Sequence, residues 1–250
     1  MMPQRHSIAA SQEKQSDAVV ATAARWSQLS AAKGFRHLVV DGRDAFTEWQ
    51  RLVSEKSGWP IVIGGDLELE RFKEQLGFDA GNETSESILR KASELRHPES
   101  LPSQIGEDLE YVPEVGEWPP GPRPEEGMPL LYEADGRYRT RVHIIVIPVS
   151  TGADVPAYLR WGGWNGCPKP EFHVAALRAW SSRTGAELVA LNSDTMVLHV
   201  TRRPESREEA LDLAREQYVY CQDIILQGTE TLAPLAITLM TSDWWYFWWD

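Results

Sequence analysis

The sequence holds two cysteines among 250 residues, Cys167 and Cys221. Two cannot build a disulfide framework, so an oxidising, secreted scaffold is not expected. Motifs that carry chemistry by spacing are missing as well: there is no Cys-x-x-Cys, no His-x-x-x-His, no Gly-x-Gly-x-x-Gly and no Walker lysine. Basic charge is scarce, with 25 Lys and Arg against 37 Asp and Glu and a formal net charge of −12. That balance argues against nucleic acid or an anionic membrane surface as the main partner. No apolar run approaches the roughly 20 residues that span a bilayer. No continuous apolar stretch precedes Asp17, so no secretory signal is expected either. The expectation is a soluble protein of a reducing cytoplasm, with no membrane partner.

Aromatic rings, by contrast, are plentiful. Of 11 tryptophans, four stand in the closing run Trp244, Trp245, Tyr246, Phe247, Trp248, Trp249, which ends in Asp250. Six large rings left in water would be an aggregation site. The alternation of a strand puts Trp244, Tyr246 and Trp248 on one face and Trp245, Phe247 and Trp249 on the other. The run is therefore expected to be a terminal strand covered on both sides.

Three stretches divide the chain. Residues 1–15 are polar and irregular and read as a disordered tail. Residues 16–97 read as a small α/β lobe: a helix over 17–33, a strand at 37–40, and a helix over 44–56 with Phe46, Trp49 and Val53 on one face. A strand at 59–64, a helix from Asp66 to Leu76 and a helix over 85–95 follow. The turn Gly64-Gly65-Asp66 can in principle cradle phosphate at the helix start, but Asp66 would repel an anion, so it reads as an ordinary connection. Residues 98–127 carry seven prolines and eight acidic residues against a single arginine, Arg123. They read as a solvated linker lying along the surface.

Residues 128–250 are better patterned. A nearly continuous apolar strand covers 141–149 and a helix covers 170–183. Two strands, 186–191 and 196–201, are joined by turn residues 192–195. A helix opens at Ser206 with Glu209 as a capping box, another covers 231–240, and the aromatic strand closes the chain. The order β-α-β-β-α-(α)-β is that of a ferredoxin-like split βαβ domain, with an antiparallel sheet in which the aromatic strand lies beside 141–149. The fold class expected is α/β (α+β), this lobe packing on the smaller N-terminal one.

Such an arrangement brings the loop 158–168, the start of the following helix with His173, the hairpin tip at Asp194 and the helix end at Tyr220, Cys221 and Asp223 to one end. A helix N-terminus there favours an anion or a thiolate. Cys167, His173 and Asp223 are candidates for nucleophilic catalysis. With Cys221 they also supply the ligand types of a metal site, although without ligand spacing, so no resident metal or cofactor is expected. Trp161, Gly162, Gly163, Trp164 and Asn165, together with Asp194, are candidate ligand-binding residues: paired glycines admit a ligand to the backbone and the indoles can stack it. His143 reads as a satisfied sheet histidine and His199 as a histidine facing solvent. Asp250 is expected to pair with Arg139, Arg141 or Arg202.

Gly162-Gly163-Trp164-Asn165-x-Cys167-Pro168, His173, residues 185–189, Glu209-Ala210, Ala214-x-Glu216, Tyr220-Cys221-x-Asp223-Ile224, Gln227-Gly228-Thr229 and the aromatic end together resemble the bacterial family catalogued as domain of unknown function 4253. The resemblance covers about residues 141–250. Gln222 stands where the family pattern has proline. The resemblance implies that the segments meeting at one end are the family's signature, and it implies no activity. The functional expectation is a non-catalytic module that binds a protein partner or a small ligand. An immunity or regulatory role toward a basic partner such as a nuclease toxin is one form of it. The alternative is a thiol- or metal-dependent hydrolase or transferase built on Cys167, His173, Cys221 and Asp223.

Overall fold

A computed structural model describes residues 35–76, 83–101, 112–121 and 127–250. The tail at 1–15, the helix expected at 17–33 and much of the 98–127 stretch lie outside the described residues.

Six strands form one sheet: β1 (Arg36–Val40), β2 (Trp59–Gly64), β3 (Val142–Ile147), β4 (Glu187–Leu191), β5 (Thr195–His199) and β6 (Trp244–Trp248). Their order is β1-β3-β2-β4-β5-β6, antiparallel throughout except for β2 beside β4. The helices are α1 (Ala45–Glu55), α2 (Asp66–Gln75), α3 (Ser85–Glu94), the short α4 (Val155–Leu159), α5 (Pro170–Thr184), α6 (Arg207–Tyr220) and α7 (Leu232–Thr241). A π-helical turn, Ile224–Thr229, links α6 to α7. The protein is thus a mixed α+β fold on an open sheet.

The strand order differs from the ferredoxin-like expectation. The aromatic strand pairs with β5, from Thr195↔Trp248 to His199↔Trp244, and not with the strand at 141–149. The reason is occupancy: both edges of β3 are already taken, by β1 and by β2. Strands from before and after the acidic stretch alternate in the same sheet. β2 is the continuous joint, antiparallel to β3 and parallel to β4 through Val62↔Ala190. Its run Pro60–Gly64 is buried throughout, as a strand covered on both faces requires.

Alternation sorts the strand residues onto two cores. Ile61, Ile63, Ile145, Ile147, Leu188, Leu198, Trp245 and Phe247 face the larger one, under α2, α5, α6 and α7. Val62, Ile144, Val146, Ala190 and Val197 face a smaller one roofed by α1, through Trp49 and Leu52, and by Leu130 and Leu131. α3 adds an outer layer, Ile88 and Ala92 packing on Ala157 of α4 and Val174 of α5.

The aromatic strand is covered fully on one face and partly on the other. Trp245, Phe247 and Trp249 are buried, the first two around Trp180, whose ring stacks on Phe247 and meets Trp245 edge-on, and the third against Trp161, His173 and Tyr220. On the second face Trp244 packs against Phe46 and His199. Trp248 is reached by the turn at Gly228, where an added Cβ would stand 2.9 Å from the indole. Tyr246 remains 36% exposed. As an edge strand, β6 is met by α1 only at its Trp244 end, through Phe46, and beyond that end the expected two-sided burial falls short.

Of the acidic stretch, residues 112–121 lie along the surface, whereas Leu101 near its start is buried in the main core. The carbonyls of Glu114 and Val115 accept hydrogen bonds from the Leu232 and Ala233 amides, satisfying the first donors of α7. Trp118 sits under the Arg207 guanidinium, 4.5 Å from ring centre to carbon, and packs on the main core.

Candidate functional site

The loop between α4 and α5 is bent by its backbone. Arg160, Gly162, Gly163, Asn165 and Gly166 all have positive φ, a conformation that glycine adopts freely and asparagine tolerates. The Cys167 amide donates to the Trp164 carbonyl at 2.6 Å and the Gly163 amide to the Cys167 carbonyl at 3.2 Å, closing the turn. Gly162 is required by contact: a Cβ there would stand 2.2 Å from the Pro168 carbonyl and 2.7 Å from Nε2 of His173. The glycine pair thus has a structural duty at 162 and leaves open backbone at 163, where an added Cβ would meet only the Lys169 side chain at 3.8 Å.

Above this backbone lies a half-open cleft of about 590 Å³. One wall is Gly162, Gly163, Trp164 and Asn165, and another is the start of α5 with Lys169, Pro170 and Glu171. Gln75, Glu83, Ile88 and Lys91, from α2, α3 and the residues beside them, close the far side. Four of the predicted ligand-binding residues therefore meet at one cavity. Two do not. Trp161 is buried, its indole N–H donating to the Asn192 carbonyl at 2.7 Å, and it anchors the loop to the hairpin. Asp194 accepts from the Thr195 hydroxyl, while its carbonyl accepts the Trp249 amide; it belongs to the hairpin end.

Beneath the loop, Cys167 Sγ lies 3.3 Å from His173 Nε2, and His173 Nδ1 lies 2.5 Å from the Tyr220 hydroxyl. All three side chains are buried, Cys167 at 3% exposure. Burial pushes the Cys167 thiol and the Tyr220 phenol well above their ordinary values. It pulls His173 down to about 3, although the Pro168 carbonyl accepting from the ring favours the charged form. Tyr220 therefore keeps its proton, its hydroxyl standing between His173 Nδ1 and the Met196 sulfur, to which it donates at 3.5 Å, and the His173 ring stays neutral at ordinary pH. Burial thus makes the nitrogen facing the thiol a weak base.

Two further members of the predicted cluster have other partners. The Cys221 thiol donates to the Trp248 carbonyl at 2.9 Å, and burial pushes its pKa up to about 12. Asp223 is not the third member of a Cys–His–Asp arrangement. Its carboxylate accepts from the Gln227 amide and from the backbone N–H of Asp250, fastening the end of the chain. The arginines expected at Asp250 are occupied elsewhere: Arg139 pairs with Glu68, Arg141 with Asp66, and Arg202 donates to the Ser182 and Arg183 carbonyls. Tyr220, which the sequence already places at the same end as His173, is its actual partner; the pairing itself carries no spacing signal. Among the described residues no group of three or more His, Cys, Asp or Glu can hold a metal ion.

A separate polar chain runs along the β1 side of the sheet. His143 Nε2 lies 2.7 Å from Asp66 and its Nδ1 2.9 Å from His37 Nε2. Arg141 first and His143 second hold Asp66 down at about 2. His143 is thus a buried histidine with both nitrogens engaged. His199, expected to face solvent, is half-buried between Phe46 and Trp244. At the Gly64-Gly65 turn, the Gly65 amide donates to the Glu68 carboxylate, so the start of α2 is already capped by an anion of the chain itself.

Residues 143–250 match the family model described as a domain of unknown function (DUF4253). The loop and α5 sides of the cleft, the Cys167–His173–Tyr220 chain and the aromatic strand fall within that span, and the far side of the cleft (Gln75, Glu83, Ile88 and Lys91) lies outside it. No curated protein and no solved structure matches the chain. Among the described residues no helix is long and apolar enough to cross a membrane.

Proposed function

We propose that this DUF4253-bearing chain is a non-catalytic binding module whose ligand, a small molecule or a protruding segment of a protein partner, seats in the cleft over Gly163 and Trp164. The observation that carries this reading is the cleft itself: about 590 Å³, in the range of ligand sites. Gly163 leaves backbone open in its wall, the half-buried Trp164 ring is available for stacking, and charges of both signs stand around it (Lys91, Lys169, Glu83, Glu171). A basic segment of a protein partner is favoured by the overall charge of −12.

The test is hydrogen exchange on the full chain with a panel of charged and zwitterionic small molecules and basic peptides. The reading expects a binder that protects the amides of 162–171 and 88–91, with protection lost in Trp164→Ala and Lys169→Ala. A binder that protects a different region, with these variants unaffected, overturns it.

The 3.3 Å approach of Cys167 to His173 supports a second reading, a thiol hydrolase or transferase. Burial weighs against it, raising the Cys167 thiol and weakening His173 as a base, because the nucleophile is the thiolate. Rapid single alkylation of Cys167 by iodoacetamide at neutral pH would favour the enzyme. The binding module expects Cys167 to react only as the chain unfolds.

A further inference from the structure

The polar chain on the β1 side of the sheet holds its hydrogens in a set order. Asp66, held at about 2, is ionised near neutral pH and can only accept. The hydrogen in its 2.7 Å contact with His143 therefore belongs to Nε2 of that ring. With both rings neutral, His143 Nδ1 is then a bare acceptor, and the hydrogen in its 2.9 Å contact with His37 Nε2 comes from His37. One added proton is accommodated: whichever ring takes the charge, a single hydrogen still lies between Nδ1 and Nε2. A second has no place. Both nitrogens would then carry hydrogen, and two cations would face each other across 2.9 Å.

We propose that the His37–His143 contact is an acid-sensitive latch on the edge strand β1, shut while the two rings share no more than one extra proton and opened by the second. Among the described strands β3 is the one neighbour of β1. His37 is exposed, so its ring has room to swing away, whereas His143 is buried and held by Asp66. It is therefore His37 that leaves. Opening unties β1 from His143 and, through Asp66, from the first residue of α2. The charges around the pair set where this happens. Asp66 of α2 favours the second proton, and Lys73 of α2 and Arg141, just before β3, oppose it. Beside His37, Arg36 is paired with Glu55 of α1 and brings no net charge. Partial burial first, then His143, Lys73 and Arg141, lower His37 below its ordinary value, so the latch stays shut at neutral pH. The device is independent of the cleft reading, since none of these residues lines the cleft.

The experiment is a pH titration of the full nitrogen-labelled chain, read on the imidazole nitrogens by two-dimensional NMR. His37 is assigned by its loss in His37→Phe, and His143 by its cross-relaxation with His37. Above neutral pH both rings are expected as Nε2–H tautomers. The pair should titrate in two steps more than about one pH unit apart, with the cross-relaxation surviving the first step and vanishing in the second. Amide exchange in β1, corrected for its intrinsic pH dependence, should rise about tenfold with the second step, the worth of one hydrogen bond. In His37→Phe it should be fast already at neutral pH and show no such step. Asp66→Asn, at a largely exposed side chain, should keep the fold and move the opening to lower pH, because the charge that favours the second proton is gone. Coincident steps, cross-relaxation that persists through both, or β1 exchange that ignores the second step each overturns the proposal. So does an opening that Asp66→Asn leaves unmoved.

Discussion

His173 is the residue whose chemistry is most altered by its surroundings. Enclosed by Trp161, Tyr220 and Trp249, it has a folded pKa of about 3 against 6.5 when free. The unfolded chain therefore binds a proton at this site below pH 6.5 that the folded chain refuses until about pH 3. Stability is fully present above 6.5 and declines as pH falls through that window, with a limiting slope of about one proton per molecule. Urea midpoints measured from pH 7 to 4 should show this decline, and His173→Gln should flatten it while lowering stability at pH 7. Glu216 acts in a lower window. Burial pushes its carboxyl up, but hydrogen bonds from His97 and Arg183 outweigh that and hold it at about 2. Its contribution is thus present above 4.5 and lost only as pH drops below that value, so the two groups are separable by pH.

At the level of elements, the informative pair is α7 and the strand-like segment that crosses its start. α7 begins without a side-chain cap. Its Leu232 and Ala233 amides are satisfied instead by carbonyls of Glu114 and Val115, residues more than a hundred positions earlier. What holds that segment in place is Trp118, packed on the core and covered by Arg207. Trp118→Ala removes the anchor, so hydrogen exchange at the Leu232 and Ala233 amides should accelerate at least tenfold, while amides in the middle of α5 stay unchanged. Comparable acceleration throughout would mean global destabilisation, and no acceleration would mean that the backbone contacts suffice alone. Residues 112–121 follow the surface path that the prolines and acidic charge of this stretch suggest. Its capping role was illegible, because a backbone carbonyl has no signature in sequence.

For the whole molecule, the decisive element is β2. The family match begins at His143, inside β3, yet β3 and β4 do not touch as neighbours: β2, from residues 59–64, lies between them. Ile61, Val62 and Ile63 are fully buried, and each is worth about 1.5–3 kcal/mol. Together they are comparable with the whole stability of an ordinary domain, about 5–15 kcal/mol. A fragment of residues 143–250 is therefore expected to lack a cooperative urea transition, whereas the full chain unfolds cooperatively. Cooperative unfolding of the fragment would show that β3 and β4 can close the gap by pairing directly.

Much was determined by local pattern. The period of apolar residues marked α1, α5 and α6 and strands β2 to β5 within a residue or two. Ser206 was legible as a cap, and its hydroxyl accepts the Glu209 amide. The aromatic run was legible as a strand because alternation divides its rings between two faces, of which Trp245, Phe247 and Trp249 take the buried one. The meeting of loop 162–168 with His173 and the end of α6 was also legible, since it depends only on which end of each element a residue occupies. The order of the strands was decided by tertiary structure. Apolar strands such as β2 and β3 offer two equivalent edges, and hydrophobic burial does not say which neighbour takes which edge. The identity of the third member of the buried chain, Tyr220 in place of Asp223, was settled in the same way. Tyr220 ends α6 and Asp223 follows three residues later, at the start of the π-helical turn; the first faces the core, where its hydroxyl finds the histidine, and the second faces the end of the chain, where its carboxylate accepts from the Asp250 amide. Which side a helix end presents is fixed by packing, and packing is a property of the assembled sheet.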